Sequence, residues 1–338
     1  MHPPRIQICR DTLAAMKKTL EKVLVLGGTG FVGRHVCEKL TRLNVRVTVP
    51  TRRRNNAYNV QALPMLDVLE VDIHDPVALA ALVAGHDAVV NLVAVLHGDE
   101  AAFERAHVEL PKKLAAACQQ TGVTRLVHIS ALGAAVDGPS MYQRSKARGE
   151  AVLQAAGLDL TMLRPSVIFG ADDKFLNLFA KLQTIFPVMP LAGAATRFQP
   201  VWVEDVAQAV VNSLTKQSAP ENRVIEACGP DVFTLKELVQ LSAIAAGINR
   251  GRGRPVIALS PFLGKLQAMA MRLLPGEPLV SQDNLDSMQV DNVGTGKLPN
   301  LQTLGITPSA LAAIVPTYLG NNSVLRQQLG FRKTAGRF

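Results

Sequence analysis

Between Lys22 and Pro165 short apolar runs alternate with helical patterns, and this rhythm restricts the chain to a parallel sheet covered by helices. KVLVL (22–26) reads as a buried strand, Phe31 to Leu43 as a helix, and VRVTV (45–49) and LDVLEV (66–71) as the next two strands. Asp75 caps a short helix, Pro76 to Ala84, with proline at its first position. DAVVNLVAV (87–95), RLVHIS (125–130) and LTMLRP (160–165) are three further strands, separated by helices over Ala101 to Thr121 and Tyr142 to Ala155. Repeated strand–helix–strand units predict a doubly wound α/β fold.

The chain has 338 residues, 48% of them apolar and 19% charged, which suits a packed globular protein and excludes disorder, collagen and coiled coil. Beyond Gly170 the alternation loosens into prolines, glycines and short helical pieces, so a smaller mixed C-terminal lobe is expected over 171–325, with a partial return to the core built by 21–170. Residues 1–20 are expected to be a tail, with translation starting at Met16, and 326–338 a basic tail. No apolar run is long enough to span a membrane. The four cysteines form no CxxC pair and the seven histidines no ligand spacing, which points to a reducing, cytoplasmic setting without a structural metal. The net charge of +9 permits an anionic partner. Nucleic acid is excluded as that partner, because no recognition helix or aromatic-and-basic platform accompanies the charge.

GGTGFVG (27–33) follows the first strand directly and opens the first helix. Gly27 permits the tight turn, Gly30 lets the backbone approach a pyrophosphate, and Gly33 lets the helix pack on the strand. Thr29, Phe31 and Val32 share the loop, and the helix start presents free N–H groups to phosphate. In this strand–turn–helix context the loop marks a Rossmann-type dinucleotide site, with helices on both faces of the sheet. A site selective for NAD(H) would end the second strand with Asp or Glu. Here PTRRR (50–54) supplies Arg52 and Arg53, so NADP(H) is favoured over NAD(H), the alternative being a solvated arginine loop. Asp72 and Ile73, after the third strand, are candidate adenine contacts, although Asp72 also suits a turn.

YQRSK (142–146) places Tyr142 and Lys146 on one helical face. A neighbouring ammonium favours the phenolate, so the pair is a candidate acid/base, and Lys146 could also hold the nicotinamide ribose.

GGTGFVG, NLVA (91–94), VHIS (127–130), YQRSK, LRPSVIFG (163–170) and VWVEDVA (201–207) together resemble a short-chain dehydrogenase/reductase of extended or atypical type, similar to NAD-dependent epimerases and dehydratases. ISALGA (129–134), YQRSKARGE (142–150), QPVWVEDVA (199–207), LVSQDNLDSMQVDNV (279–293) and GITPSALAAIVPTYL (305–319) resemble most specifically the branch containing the thirty-nine-kilodalton accessory subunit of respiratory complex I and its bacterial relatives. The resemblance runs from Lys22 to Leu319. It implies NADP(H) binding, with Ala94 as a further cofactor contact and Pro165, Ser166 and Ile168 beside the nicotinamide, and partnership with complex I or a quinone-biosynthesis assembly. It also implies a catalytic Ser or Thr just after the fifth strand, where Ser130 is followed by Ala131 and Leu132. The expected function is therefore a cofactor-holding accessory or assembly factor with weak or no turnover. The rival is an active NADP-dependent oxidoreductase or sugar-nucleotide epimerase using Tyr142 and Lys146.

PFLGKLQAMAMRLLP (261–275) places Phe262, Leu266, Met269 and Leu273 on one helical stripe beside Lys265 and Arg272. A peripheral contact with the inner face of a bacterial membrane is one expectation, a helix packed over the C-terminal lobe the other.

Overall fold

In the computed structural model, which describes residues 20–215, 223–271 and 281–319, the apolar run Lys22–Leu26 forms the central strand β1. The expected tails, the Met16 start and positions 272–275 lie outside the described residues, Leu20 excepted. Strand β1 pairs in parallel with β2 (Arg46–Thr51) and β4 (Ala88–Asn91). With β3 (Leu66–Glu70), β5 (Arg125–Ile129), β6 (Asp159–Pro165) and β11 (Arg223–Ala227), these make a sheet of seven described strands in the order β11-β6-β5-β4-β1-β2-β3. The chain reverses its direction of travel between β1 and β4, and in open α/β sheets the crevice outside the carboxyl ends at such a point is where ligands bind.

Both faces of the sheet are buried, so β1 alternates between two cores. Val23 and Val25 join Val36, Leu40, Val206 and Val210 under α1 (Phe31–Arg42) and α7 (Val203–Thr215). Leu24 and Leu26 join Leu79, Leu114 and Leu153 under α2 (Pro76–Val83), α4 (Leu110–Thr121) and α5 (Met141–Gln154). Each fully buried leucine contributes roughly 1.5–3 kcal/mol. Glu204, at the start of α7, takes the His35 Nδ1 at 2.5 Å and the Lys39 Nζ at 2.8 Å, which clamps α7 onto α1. The His35 hydrogen bond, then that of Lys39, outweighs burial and holds the Glu204 carboxyl down at about 2.

Two elements differ from the expected pattern. The strand expected over 87–95 stops at Asn91, whose Oδ1 accepts the Val93 N–H and turns the chain into a loop. The helix expected over 101–121 divides into α3 (Glu100–Glu104), a π-helical turn (Arg105–Glu109) and α4. Pro111 lacks the N–H that would bond the His107 carbonyl. That carbonyl presses instead on Gly149 of α5, where an added Cβ would lie 1.9 Å from its oxygen.

The remaining elements are α6 (Leu176–Ile185), α8 (Leu235–Ala245), α9 (Pro261–Met271), α10 (Gln282–Ser287), α11 (Leu311–Leu319), and the short strands β7 (Ile168–Phe169), β8 (Met189–Leu191), β9 (Arg197–Phe198), β10 (Val201–Trp202), β12 (Phe233–Thr234) and β13 (Val256–Ala258). The strands pair as β7 with β10, β9 with β12 and β8 with β13. A third core holds Phe169, Leu176, Leu191, Leu238, Leu311 and Val315. From this lobe the chain returns to the main sheet as β11, with Ile225 opposite Leu163 of β6. Among the described residues no helix is long and apolar enough to cross a membrane.

Candidate functional site

The glycine loop lies at the carboxyl end of β1. Gly27 has φ +79°, and a Cβ there would come 3.1 Å from the Leu92 carbonyl carbon after β4. A Cβ on Gly33 would stand 2.3 Å from the Gly27 oxygen, so helix α1 begins in direct backbone contact with the loop. Gly30 is the exposed N-cap of α1, with no side chain capping it and no acid in the first turn. The free N–H groups and the helix dipole therefore face an opening that a side chain would otherwise fill, which fits a pyrophosphate. Thr29 is half-buried in the loop, the Phe31 ring reaches toward Gly170, and Val32 packs into the core beneath.

At the end of β2 the Thr51 hydroxyl donates to the Arg53 carbonyl at 3.0 Å and sets the turn that exposes Arg52 and Arg53. Neither arginine forms an ion pair among the described residues. Sequence reading missed Glu70, the last residue of β3. It lies opposite Thr51, and its carboxylate accepts the Arg54 N–H at 3.1 Å. Asp72 accepts the His74 N–H at 2.9 Å, so its carboxyl forms the turn that was its other reading, while Ile73 packs against the second core. The Lys113 Nζ donates to the His74 carbonyl at 2.7 Å. Burial, then the positive charge of Arg105, pushes the His74 imidazole below its ordinary range, with Lys113 and Arg52 adding to the effect. Arg105 is thus a further cation at this corner, delivered by the π turn, which periodicity could not foresee. Ala94 is exposed in the loop after β4.

Tyr142 and Lys146 lie on α5, which a capping box begins: the Ser140 hydroxyl accepts the Gln143 N–H while the Gln143 side chain turns back to Ser140. The Lys146 ammonium is fully buried and donates to the Ile129 carbonyl at 3.1 Å. Burial lowers it to about 8, although nearby Glu150, forked by Arg164, opposes the shift. The Lys146 Nζ stands 5.9 Å from the centre of the Tyr142 ring. The expected phenolate is not favoured here, since burial pushes the Tyr142 hydroxyl up to about 12. Desolvation outweighs a cation placed over the ring, and the hydroxyl keeps its proton.

Two neutral histidines lie beneath this helix, one tying it to the loop after β4 and the other joining β4 to β5. The His107 Nε2 accepts the Val95 N–H at 3.1 Å, so Nδ1 carries the proton toward the Ser145 hydroxyl at 2.8 Å, and Ser145 donates to the Tyr142 carbonyl at 2.9 Å. The His128 Nδ1 receives the Asn91 amide at 3.2 Å. Burial first, then the Lys146 charge, lowers His107 to about 2 and His128 to about 3.

Beside these groups, just past the end of β5, one hydroxyl is followed by two apolar side chains. Ser130 is buried and its Oγ has no hydrogen-bond partner among the described residues; Ala131 and Leu132, also buried, follow it. Pro165 ends β6 and its carbonyl accepts the Leu132 N–H at 3.0 Å. Ser166 donates its N–H to Ala227 and its hydroxyl to Asn292, so those groups are spent within the protein. Ile168 pairs with Val201 and packs on the first core.

Over 91% of this chain and 80% of theirs, residues match NADH dehydrogenase (ubiquinone) 1 alpha subcomplex subunit 9 of Mus musculus at 31% identity. The NADH-ubiquinone oxidoreductase 40 kDa subunit of Neurospora crassa matches at 26% identity over 87% of this chain and 78% of its own. Among solved structures, MoeE5 in complex with UDP-glucose and NAD superposes with a TM-score of 0.68 at 19% identity, covering 91% of this chain and 99% of that one. A dTDP-glucose 4,6-dehydratase from Streptomyces venezuelae with NAD bound gives 0.67 at 23% identity, covering 91% and 99%. Residues 23–228, from the first strand to just past the returning seventh, match the family model of the NAD dependent epimerase/dehydratase family, and the chain belongs to that family.

Proposed function

We propose that this chain holds NADP(H) as an accessory subunit or assembly factor of a NADH:ubiquinone oxidoreductase or a quinone-linked assembly, with little or no turnover. The observation that carries the reading is the end of β5, where Ala131 and Leu132 stand where active relatives would place a hydroxyl beside Tyr142 and Lys146. Loss of such a donor costs about 10²–10³ in rate. The likeness to the mouse and Neurospora subunits over most of both chains supports the assembly partner.

Gly27, Thr29, Gly30 and the N–H groups of Phe31, Val32 and Gly33 would hold the pyrophosphate, and Arg52 and Arg53 the 2′-phosphate. Asp72, Ile73 and Ala94 would border the adenosine, Tyr142 and Lys146 the nicotinamide ribose, and Pro165, Ser166 and Ile168 the nicotinamide. When bound, the dinucleotide supplies hydride-transfer chemistry. The protein side is poised for holding: Tyr142 keeps its proton, and the buried Lys146 keeps its charge below about pH 8. The intact Tyr142–Lys146 pair favours the second reading, an active NADP-dependent oxidoreductase or epimerase.

The helix α9 leaves Phe262, Leu263, Leu266 and Met269 exposed with Lys265 beside them, while Gly264 faces Ala192. An acidic lipid surface complements this apolar and cationic face, and supports peripheral attachment to the inner face of a membrane.

Fluorescence titration tests the nucleotide reading. NADPH should bind at least about tenfold more tightly than NADH, and Arg52→Ala should erase most of that preference. Equal affinities in the wild type overturn the NADP(H) reading. Robust turnover on a carbonyl substrate that Tyr142→Phe abolishes would establish the enzyme instead.

A further inference from the structure

The two walls proposed to enclose the nicotinamide come from distant parts of the nucleotide-binding half, the start of α5 and the loop after β6. A single segment from the other lobe holds both. Asp283, on α10, is buried, and its carboxylate accepts the Met141 N–H at 2.6 Å and the Tyr142 N–H at 3.2 Å. Since Ser140 already takes the Gln143 N–H, the first turn of α5 is satisfied by two separate caps, one of them anionic. Ser140 caps the helix from within its own segment, whereas Asp283 ties that first turn to the other lobe.

Nine residues on, Asn292 grips the second wall. Its Oδ1 accepts the Ser166 hydroxyl at 2.6 Å and the Val167 N–H at 3.2 Å. Its backbone donates to the Arg197 carbonyl at 2.8 Å and accepts the Gln199 N–H at 3.1 Å. Between these grips the Thr196 hydroxyl donates to the Met288 carbonyl at 2.8 Å, and a Cβ on Gly193 would come 2.8 Å from the Met288 sulfur, so the segment lies flat on the lobe. Beyond Asn292, the Gly294 N–H donates to Gln199 at 3.0 Å and the Thr295 N–H to the buried Glu226 at 2.8 Å.

We infer that residues 283–295 form a strap that sets the separation between Tyr142 and the Ser166 loop, with Asp283 and Asn292 as its positioning residues. The inference rests on the dinucleotide reading above. Neither side chain is assigned a ligand contact. Each acts by fixing backbone that a nicotinamide would rest against, whereas the glycine loop and Arg52, which would hold the adenosine end, are bonded to no part of the strap.

That asymmetry supplies the test. The full chain is titrated with NADPH and with adenosine 2′,5′-bisphosphate, which shares the adenosine and 2′-phosphate but lacks the nicotinamide. Asp283→Ala and Asn292→Leu should each weaken NADPH about tenfold while leaving the bisphosphate within about twofold of wild type. Asn292→Asp keeps the Oδ1 acceptor and should retain wild-type NADPH affinity. If Asp283→Ala fails to fold, the Asn292→Leu and Asn292→Asp pair makes the same comparison. Equal losses for both ligands would reduce the strap to general scaffolding, and unchanged NADPH binding in both variants would remove it from the site; either overturns the inference alone. A wild type that binds neither ligand overturns the dinucleotide reading itself, and the strap's role with it.

Discussion

Acid should open this protein at a pH where its carboxylates are still ionised, and it should do so through two histidines. His107 and His128 are both buried and neutral, lowered to about 2 and about 3 against an ordinary imidazole value near 6.5. The folded state therefore takes up no proton at either ring between pH 6.5 and 5, while the unfolded chain takes up one at each. Stability is unaffected above the unfolded value and falls as pH drops below it. At pH 5.5 each ring costs about 1.4 kcal/mol, or about 2.8 kcal/mol for the pair, a substantial share of the ~5–15 kcal/mol that holds an ordinary domain. His86, also lowered by burial, acts in the same direction. The salt-bridged Glu204, lowered to about 2, contributes stability that is lost only below about pH 4.5, so the imidazoles dominate the window, and the recharging of Lys146 below about pH 8 adds a smaller loss of the same sign. Urea unfolding at pH 8.0 and 5.5 measures the difference. His128→Asn, which keeps an acceptor for the Asn91 amide, should remove about half of the His107–His128 contribution. A fall of less than about 1 kcal/mol in the wild type, or an undiminished fall in His128→Asn, refutes the reasoning.

Other outcomes follow from the same contacts. Gly149→Ala forces a methyl onto the His107 carbonyl and should cost about 1–3 kcal/mol in urea unfolding, with the π turn as the place of damage. Because burial lowers Lys146 to about 8, NADPH affinity should decline as pH rises through that value, and Lys146→Met should bind weakly with no such pH dependence in calorimetry. Vesicles containing anionic lipid should sediment the protein less well as salt rises. Phe262→Ser with Leu266→Ser should abolish this without lowering Tm, because both side chains are exposed; a wild type that ignores vesicles and needs a protein partner rejects the lipid assignment.

The middle of the sheet was legible because both of its faces are buried there, which makes strands such as β1 and β4 nearly continuous apolar runs, whereas β11, with Arg223 and Glu226, was foreseen only as a partial return to the core. The glycine loop was legible for a related reason: at Gly27 and Gly33 the backbone excludes any side chain, and that requirement is local. Expectation failed where a distant group decided the outcome. The helix over 101–121 gained a π turn because Pro111 frees a carbonyl for which Gly149, 42 positions beyond His107, leaves room. The chemistry of Tyr142 was misjudged because spacing gives its proximity to Lys146 but says nothing of burial, which acts on the phenol more strongly than the cation does. Glu70 escaped notice because parallel register, not sequence order, brings it opposite Thr51.

A polar group that merely filled space would be replaceable by an apolar one of like size, and the groups around Tyr142 do not have that character. His107, Ser145 and the Tyr142 carbonyl form one directed chain of hydrogen bonds in which each member fixes the proton of the next, beginning at the Val95 N–H after β4. Asn91 and His128 join β4 to β5 beneath it, and Lys146 joins α5 to the Ile129 carbonyl. An apolar replacement at any member leaves its neighbour buried without a partner, at about 1–3 kcal/mol. The network fixes the shape of the cleft whether or not chemistry occurs there, and Ala131 and Leu132 add no donor to it. Holding a ligand needs the first of these alone, and that division is what the proposed accessory role rests on.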